Sequence, residues 1–163
     1  MKTIPLKRVA IFVDAENVTH WLKQDVVKAL IAELLLLGQL IIRKAYGVLS
    51  RSQLTIHQAT LNQQGFEIIH CYHPVSRKNT ADIQMTVDVI ESAWQLPNID
   101  TFVLVTCDSD FSPVFRRLRE MDKEVIGVDR HSPSSANVLK RPVPASFTQM
   151  RKKIGKHKQL LRN

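Results

Sequence analysis

Residues 101–128 read TFVLVTCDSDFSPVFRRLREMDKEVIGV, and this stretch decides the architecture. Thr101–Thr106 is a run of apolar and β-branched residues of strand length. A short polar stretch, Cys107-Asp108-Ser109-Asp110, follows. Phe111–Met121 then sets Val114, Phe115, Leu118 and Met121 at three- and four-residue steps, with Arg116, Arg117 and Arg119 mainly on the outer side. Glu124–Val128 is apolar again. Strand, helix and strand joined this closely make the crossover unit of a parallel sheet.

The same alternation continues toward the N-terminus. Arg8–Val13, Leu40–Tyr46 and Phe66–Cys71 read as further strands, continuous in Val, Ile and Leu rather than alternating, as suits strands buried on both faces. Asp25–Leu37 reads as a helix with Val26, Leu30, Leu34 and Leu37 on its apolar stripe, stopped by Gly38. Ser50–Gln64 begins with a capping-type serine and ends at Gly65. Thr80–Leu96 is the helix before residues 101–128, with Ile83, Val87, Ile90 and Trp94 expected on its inner stripe and Pro97 beyond its end. The whole predicts a three-layer α/β/α sandwich around a mainly parallel five-stranded sheet with right-handed crossovers. Past Val128, three of the seven prolines and several serines mark a loop, with one short helix expected over Ser134–Leu139.

Length and composition bound the rest. A chain of 163 residues, 44% hydrophobic, holds one ordinary domain. Cys71 and Cys107 sit in apolar runs without paired spacing, so they read as reduced core thiols of a cytoplasmic protein. No apolar run reaches the roughly 18 residues of a membrane span, and the N-terminus has no small-residue cleavage site. The net charge of +8 is unevenly placed. Residues 149–163 hold Arg151, Lys152, Lys153, Lys156, Lys158 and Arg162 with no acid, leaving 17 basic against 15 acidic residues in 1–148. The expected division is a nearly neutral domain, 1–148, followed by a basic tail, 149–163, suited to a polyphosphate backbone or to solubility.

In an open parallel sheet, ligands sit beyond the carboxyl ends of the strands, where strand order reverses. Asp14 follows the first strand and Asp108 the fourth, so neighbouring first and fourth strands would bring both to one crevice. Asp82 opens the helix between the third and fourth strands, at the same edge of the sheet. Carboxylates gathered in this way raise one another's pKa and call for a divalent cation. Oxygen-only donors select Mg²⁺ or Mn²⁺ over zinc, and such an ion supports hydrolysis of a phosphodiester by activated water. Each aspartate taken singly is better read as an ordinary cap, worth about 1 kcal/mol, and it is their joint occurrence at one sheet edge that favours a site. Asp110, at the start of a helix, is the clearest candidate for that role.

Four pieces, IFVDAENV (11–18), IRKAYGV (42–48), RKNTADIQMTVDVIE (77–91) and FVLVTCDSDFSPVFRRLREMDKEVIGV (102–128), together resemble the NYN domains of the LabA-like (DUF88) group, which have the PIN-like nuclease fold. The resemblance covers roughly residues 8–139 and implies a Mg²⁺- or Mn²⁺-dependent, ribonuclease-like site. It implies that Asp14 is the first-strand metal ligand, with Asn17 beside it in a DxxN pattern that orients the loop or holds a water. Asp82 is then the central acidic ligand, and Asp108 with Asp110 the pair of an SDSDF-like motif in which Cys107 replaces the usual serine. Lys78 matches a basic residue that precedes the acidic helix, where it meets a phosphate or is a solvated lysine beside Arg77. Asp88 matches a further family aspartate but stands about 120° around the helix from Asp82.

RNA, single-stranded or structured, is the implied partner; no membrane is, and a homodimer is left open. Substrate grip falls to the domain's own surface, with Arg116, Arg117 and Arg119, then Arg130 and His131, then the tail. Trp21, Tyr46 and Tyr72 are the arguable stacking platforms, core packing being the competing role for each. An acid pair placed after the fourth strand disagrees with a dehalogenase-type phosphatase, and the lack of an aspartate after the third strand disagrees with a receiver domain. The remaining rival is a PIN-like module that binds RNA or protein with weak catalysis or none.

Overall fold

The computed structural model describes residues 6–19, 22, 24–48, 52–72 and 79–128. The expected helix over 134–139 and the basic tail lie outside these residues, as do Trp21, Ser50, Lys78, Arg130 and His131.

Five strands, β1 (Lys7–Asp14), β2 (Gly38–Gly47), β3 (Glu67–His70), β4 (Thr101–Val105) and β5 (Glu124–Val128), form one sheet in the order β3-β2-β1-β4-β5. Every pairing is parallel. β1 lies in the centre with β2 and β4 on either side, so the order reverses between β1 and β4, as the placement of the acids required. β3 is shorter than its apolar run. Phe66 and Cys71 fall outside the ladder yet are buried, because a side chain beside a strand end packs on the core as well as one within it.

Helices α1 (Gln24–Leu37) and α2 (Ser52–Gln63) cover one face, and α3 (Thr80–Gln95) and α4 (Ser112–Glu120) the other. The two-residue period of a strand divides the core accordingly. Val9, Ile11 and Val13 of β1 and Val103 and Val105 of β4 pack toward α1 and α2. Ala10 and Phe12 of β1 and Phe102 and Leu104 of β4 pack toward α3 and α4, the rings of Phe12 and Phe102 stacking at 6.1 Å.

Two helices are turned relative to the expectation. In α1 the buried side chains are Val27, Leu30, Ile31 and Leu34, while Val26 and Leu37 are only partly covered. The difference in α3 is larger. Ala81, Met85, Val89 and Ala93 form its buried face, whereas Ile83, Val87 and Trp94 are 64%, 53% and 68% exposed and Ile90 is half-buried. Both sets repeat at helical spacing. The sheet takes the slimmer one, since alanines and a flexible methionine let the helix backbone approach closely.

Two glycines are required by the chain path. Gly65 follows α2 at φ 76°, the left-handed region in which a helix commonly ends. At Gly38, where α1 passes into β2 without a loop, a Cβ would overlap the carbonyl of Lys7 in β1.

Candidate active site

The alternation that buries Ala10 and Phe12 under α3 and α4 carries on to Asp14, the last residue of β1, and places its side chain on the same face. The same parity along β4 takes Phe102 and Leu104 on to Thr106. Both side chains are buried, and Thr106 Oγ1 donates to Asp14 Oδ2 at 3.0 Å. The Thr106 hydroxyl also accepts from the Asp108 backbone N–H at 3.1 Å. One hydroxyl thus joins the acid after β1 to the acid after β4.

Asn17 holds Asp14 from its other side, donating its amide Nδ2–H to Oδ2 at 2.7 Å and its backbone N–H to Oδ1 at 3.3 Å. The DxxN spacing makes this local: a tight turn after β1 brings the third residue back onto the first. Burial pushes the Asp14 carboxyl up. The hydrogen bonds from Asn17 and Thr106 pull against that without cancelling it, and Glu16 adds to the rise. Asp82, in the first turn of α3, is pushed up to about 6, first by burial and then by Asp14, Asp108, Glu16 and Asp110 in that order. No described cation is paired with it. The three acids therefore gather at one edge of the sheet, and the field they create is negative.

Asp108 and Asp110 divide their roles differently from the expectation. Asp108, extended at φ −91°, ψ 125°, is the cap: its Oδ1 accepts from the Asp110 N–H at 2.9 Å and opens a short 3-10 turn, Ser109–Phe111, that leads into α4. Its Oδ2 has no partner among the described residues. Asp110 caps nothing. It is exposed and borders a cleft shared with Asp82. An aspartate one turn before a helix caps better than one inside the turn, where its own N–H is the group in need of a partner.

Among the described residues no three His, Cys, Asp or Glu side chains close into a shell around a single ion. Asp82 and Asp110 border an open cleft instead. Oxygen donors set around an opening can hold a divalent cation that keeps several of its waters and takes only one or two protein carboxylates.

Two residues of the site escaped the sequence reading. Glu16 raises both Asp14 and Asp82 and accepts from the Val48 N–H at 2.9 Å, tying the loop after β1 to the end of β2. Thr106 is the other. Several expected residues stand elsewhere. Arg116 and Arg117 are exposed on α4 and border no part of the cleft, and Arg117 pairs with Glu120 at 3.1 Å. Asp88 accepts from Tyr46 Oη at 2.7 Å, Lys44 Nζ at 3.1 Å and Gln84 Nε2 at 2.8 Å. Burial alone would raise Asp88, but these three donors outweigh it and hold the carboxyl below its ordinary value. Asp88 is thus a structural tie between α3 and β2. Tyr46 is fully buried and its phenol is pushed far up by burial and by Asp88, so it is no stacking platform; Tyr72 is exposed. Cys71 is a buried thiol, as expected, and Cys107 is partly buried; neither forms a disulfide among the described residues.

Residues 8–150 match the family described as the NYN domain. The chain belongs to the NYN domain family. NYN domains have the PIN-like nuclease fold, and nuclease activity is their general character. An uncharacterised protein of Methanocaldococcus jannaschii is 32% identical to this NYN chain over 122 residues, which is 73% of this chain and 46% of that protein. The chain therefore spans about half the length of this curated relative. A crystal structure of a protein of unknown function from Vibrio parahaemolyticus shares the fold, with a TM-score of 0.60 at 22% identity over 86% of this chain and 91% of that one. No helix among the described residues is long and apolar enough to cross a membrane.

Proposed function

We propose that this NYN domain is a Mg²⁺- or Mn²⁺-dependent ribonuclease, with Asp14, Asp82 and Asp108 as the acids around the ion, one or two in direct contact and the rest through its waters, and Asp110 at the substrate side. The observation that carries the reading is the hydrogen-bonded bridge from Asp14 through Thr106 to Asp108, with Asp82 close enough to be raised by both. A divalent cation bound there supplies charge neutralisation and activation of a water for in-line attack on a phosphodiester.

The chain's own residues do the rest. Asn17 and Thr106 fix the Asp14 carboxylate in one orientation, so its remaining lone pairs point to a set place. Asp108 keeps Oδ1 on the turn and presents Oδ2. Lys78, Arg116, Arg117 and a basic tail over 149–163 contact phosphates away from the acids, with residues 1–148 as the nuclease domain.

Cleavage of an RNA panel with Mg²⁺ or Mn²⁺, repeated with a chelator, tests this. Chelation, Asp14→Asn and Asp108→Asn should each lower the rate by about 100-fold or more. In the same assay, removing residues 149–163 should flatten the salt dependence of RNA binding. Cleavage that survives both substitutions would put the site elsewhere. A native protein with no metal-dependent cleavage would favour the second reading, a non-catalytic RNA- or protein-binding module, which the open arrangement of the acids also accommodates.

A further inference from the structure

A cleft of about 260 Å³ lies directly beside the acids. Asp82 and Asp110 line it together with Ile83 and Val87 of α3 and with Phe111. Phe111 is 2% exposed and belongs to the core. Ile83 and Val87 do not. They stand one helical turn apart, so their side chains adjoin, and both are more than half exposed on the face of α3 turned away from the sheet. Asn79 and Thr86 add an amide and a hydroxyl, both able to donate and accept. Apolar walls with a few polar groups at their edge are the usual composition of a small-molecule site.

We infer that this cleft is a nucleobase subsite, which receives the base of an unpaired nucleotide next to the phosphodiester to be cut, with Ile83 and Val87 against the base. The inference rests on the nuclease reading above and names the part of the substrate that the chain recognises. Size selects the occupant: the cleft falls just short of the roughly 300–1,000 Å³ of sites for drug-sized ligands, leaving room for one base with its sugar. Charge selects it too. α3 carries Asp82, Asp88 and Glu91 and no lysine or arginine, so a second copy docked α3 to α3 would set like charges together. A base is the uncharged part of a nucleotide, and its flat face suits two adjoining aliphatic side chains. Because Asp82 and Asp110 line the same cleft as Ile83, a base on Ile83 leaves its attached phosphate near these acids. A base paired and stacked in a duplex cannot enter without being extruded, so unpaired nucleotides are favoured.

Two measurements on the full chain keep the subsite separate from the catalysis. Methyl-labelled protein is titrated with adenosine 5′-monophosphate and, separately, ribose 5-phosphate, while NMR follows the methyl signals of Ile83 and Val87. Upfield ring-current shifts with the nucleotide alone are expected; unmoved methyls, or equal shifts with the sugar phosphate, overturn the subsite whatever the protein cleaves. In the second, a short RNA is compared with the same RNA carrying one abasic residue. The native chain should cut the intact RNA about tenfold faster, and the Ile83→Ala/Val87→Ala double variant should lose that preference while keeping the native circular dichroism spectrum. Equal rates on the two RNAs in the native chain would overturn the inference and leave the nuclease reading standing; absence of cleavage overturns that reading and, with it, the placement beside a scissile bond. A native dimer that the double variant dissolves would assign the face to a second copy and also overturn it.

Discussion

Thr106 and Asp108 stand two residues apart and do work that composition does not reveal. Threonine at the end of a β-branched run reads as one more strand residue, and only the strand's parity shows that its hydroxyl points at Asp14. Glu16 was hidden for a similar reason, since a charged residue after a strand is ordinarily solvated. That Asp14 and Asp108 would meet was legible, because strand ends at a reversal of strand order converge whatever their surroundings; which of Asp108 and Asp110 caps the turn was not, because that depends on one backbone conformation. The difference is measurable. Asp108→Ala should cost about 1 kcal/mol in urea unfolding, through loss of the bond to the Asp110 N–H. Asp110→Ala should stay within about 0.5 kcal/mol of the native protein. Equal losses in the two variants would show that Asp108 is not the cap.

At the scale of elements, the strands could be read from the sequence and the facing of the helices could not. Apolar runs bounded by Gly and polar turns mark buried strands, and all five lie within a few residues of their expected limits. α3 offers two apolar stripes of similar regularity, and bulk is a poor guide to which one the sheet takes. Its own contact with β1 and β2 decides, through Ala81, Met85, Val89 and Ala93. The junction of α1 and β2 is the most constrained point among these connections. With no loop to absorb a shift, Gly38→Ala should destabilise by about 1–3 kcal/mol or more, because the added methyl meets backbone rather than a movable side chain. An unchanged midpoint in thermal unfolding would mean that β1 yields at Lys7.

For the molecule as a whole, the gathered acids set a dependence of stability on pH. The Asp82 carboxyl titrates near 6 in the fold against an ordinary value of 3.8, so its charged form is less favourable folded than unfolded. Without metal, its effect is absent below 3.8 and stability falls as pH rises through about 6. Asp14 acts in the same direction, whereas Asp88 and Glu124, both lowered, act in the opposite one. The total profile therefore mixes signs, and the difference between native chain and Asp82→Asn isolates the effect. In metal-free buffer that variant should gain in unfolding temperature relative to the native chain across this window, and Mn²⁺ should narrow the gap above it. A constant gap at all pH values would mean that neither burial nor the neighbouring acids raise Asp82.

The bond between Thr106 and Asp14 spans 92 residues of chain. On a ribosome, the segment carrying Asp14 emerges before β4, and its carboxylate has no bridge to Asp108 until β4 has been made and has inserted beside β1. A shortened translation product ending before Thr106 would contain Asp14 and Asp82 yet lack the centre they belong to. The order of synthesis thus leaves Asp14 without its bridge to Asp108 until the chain through Asp108 has been made.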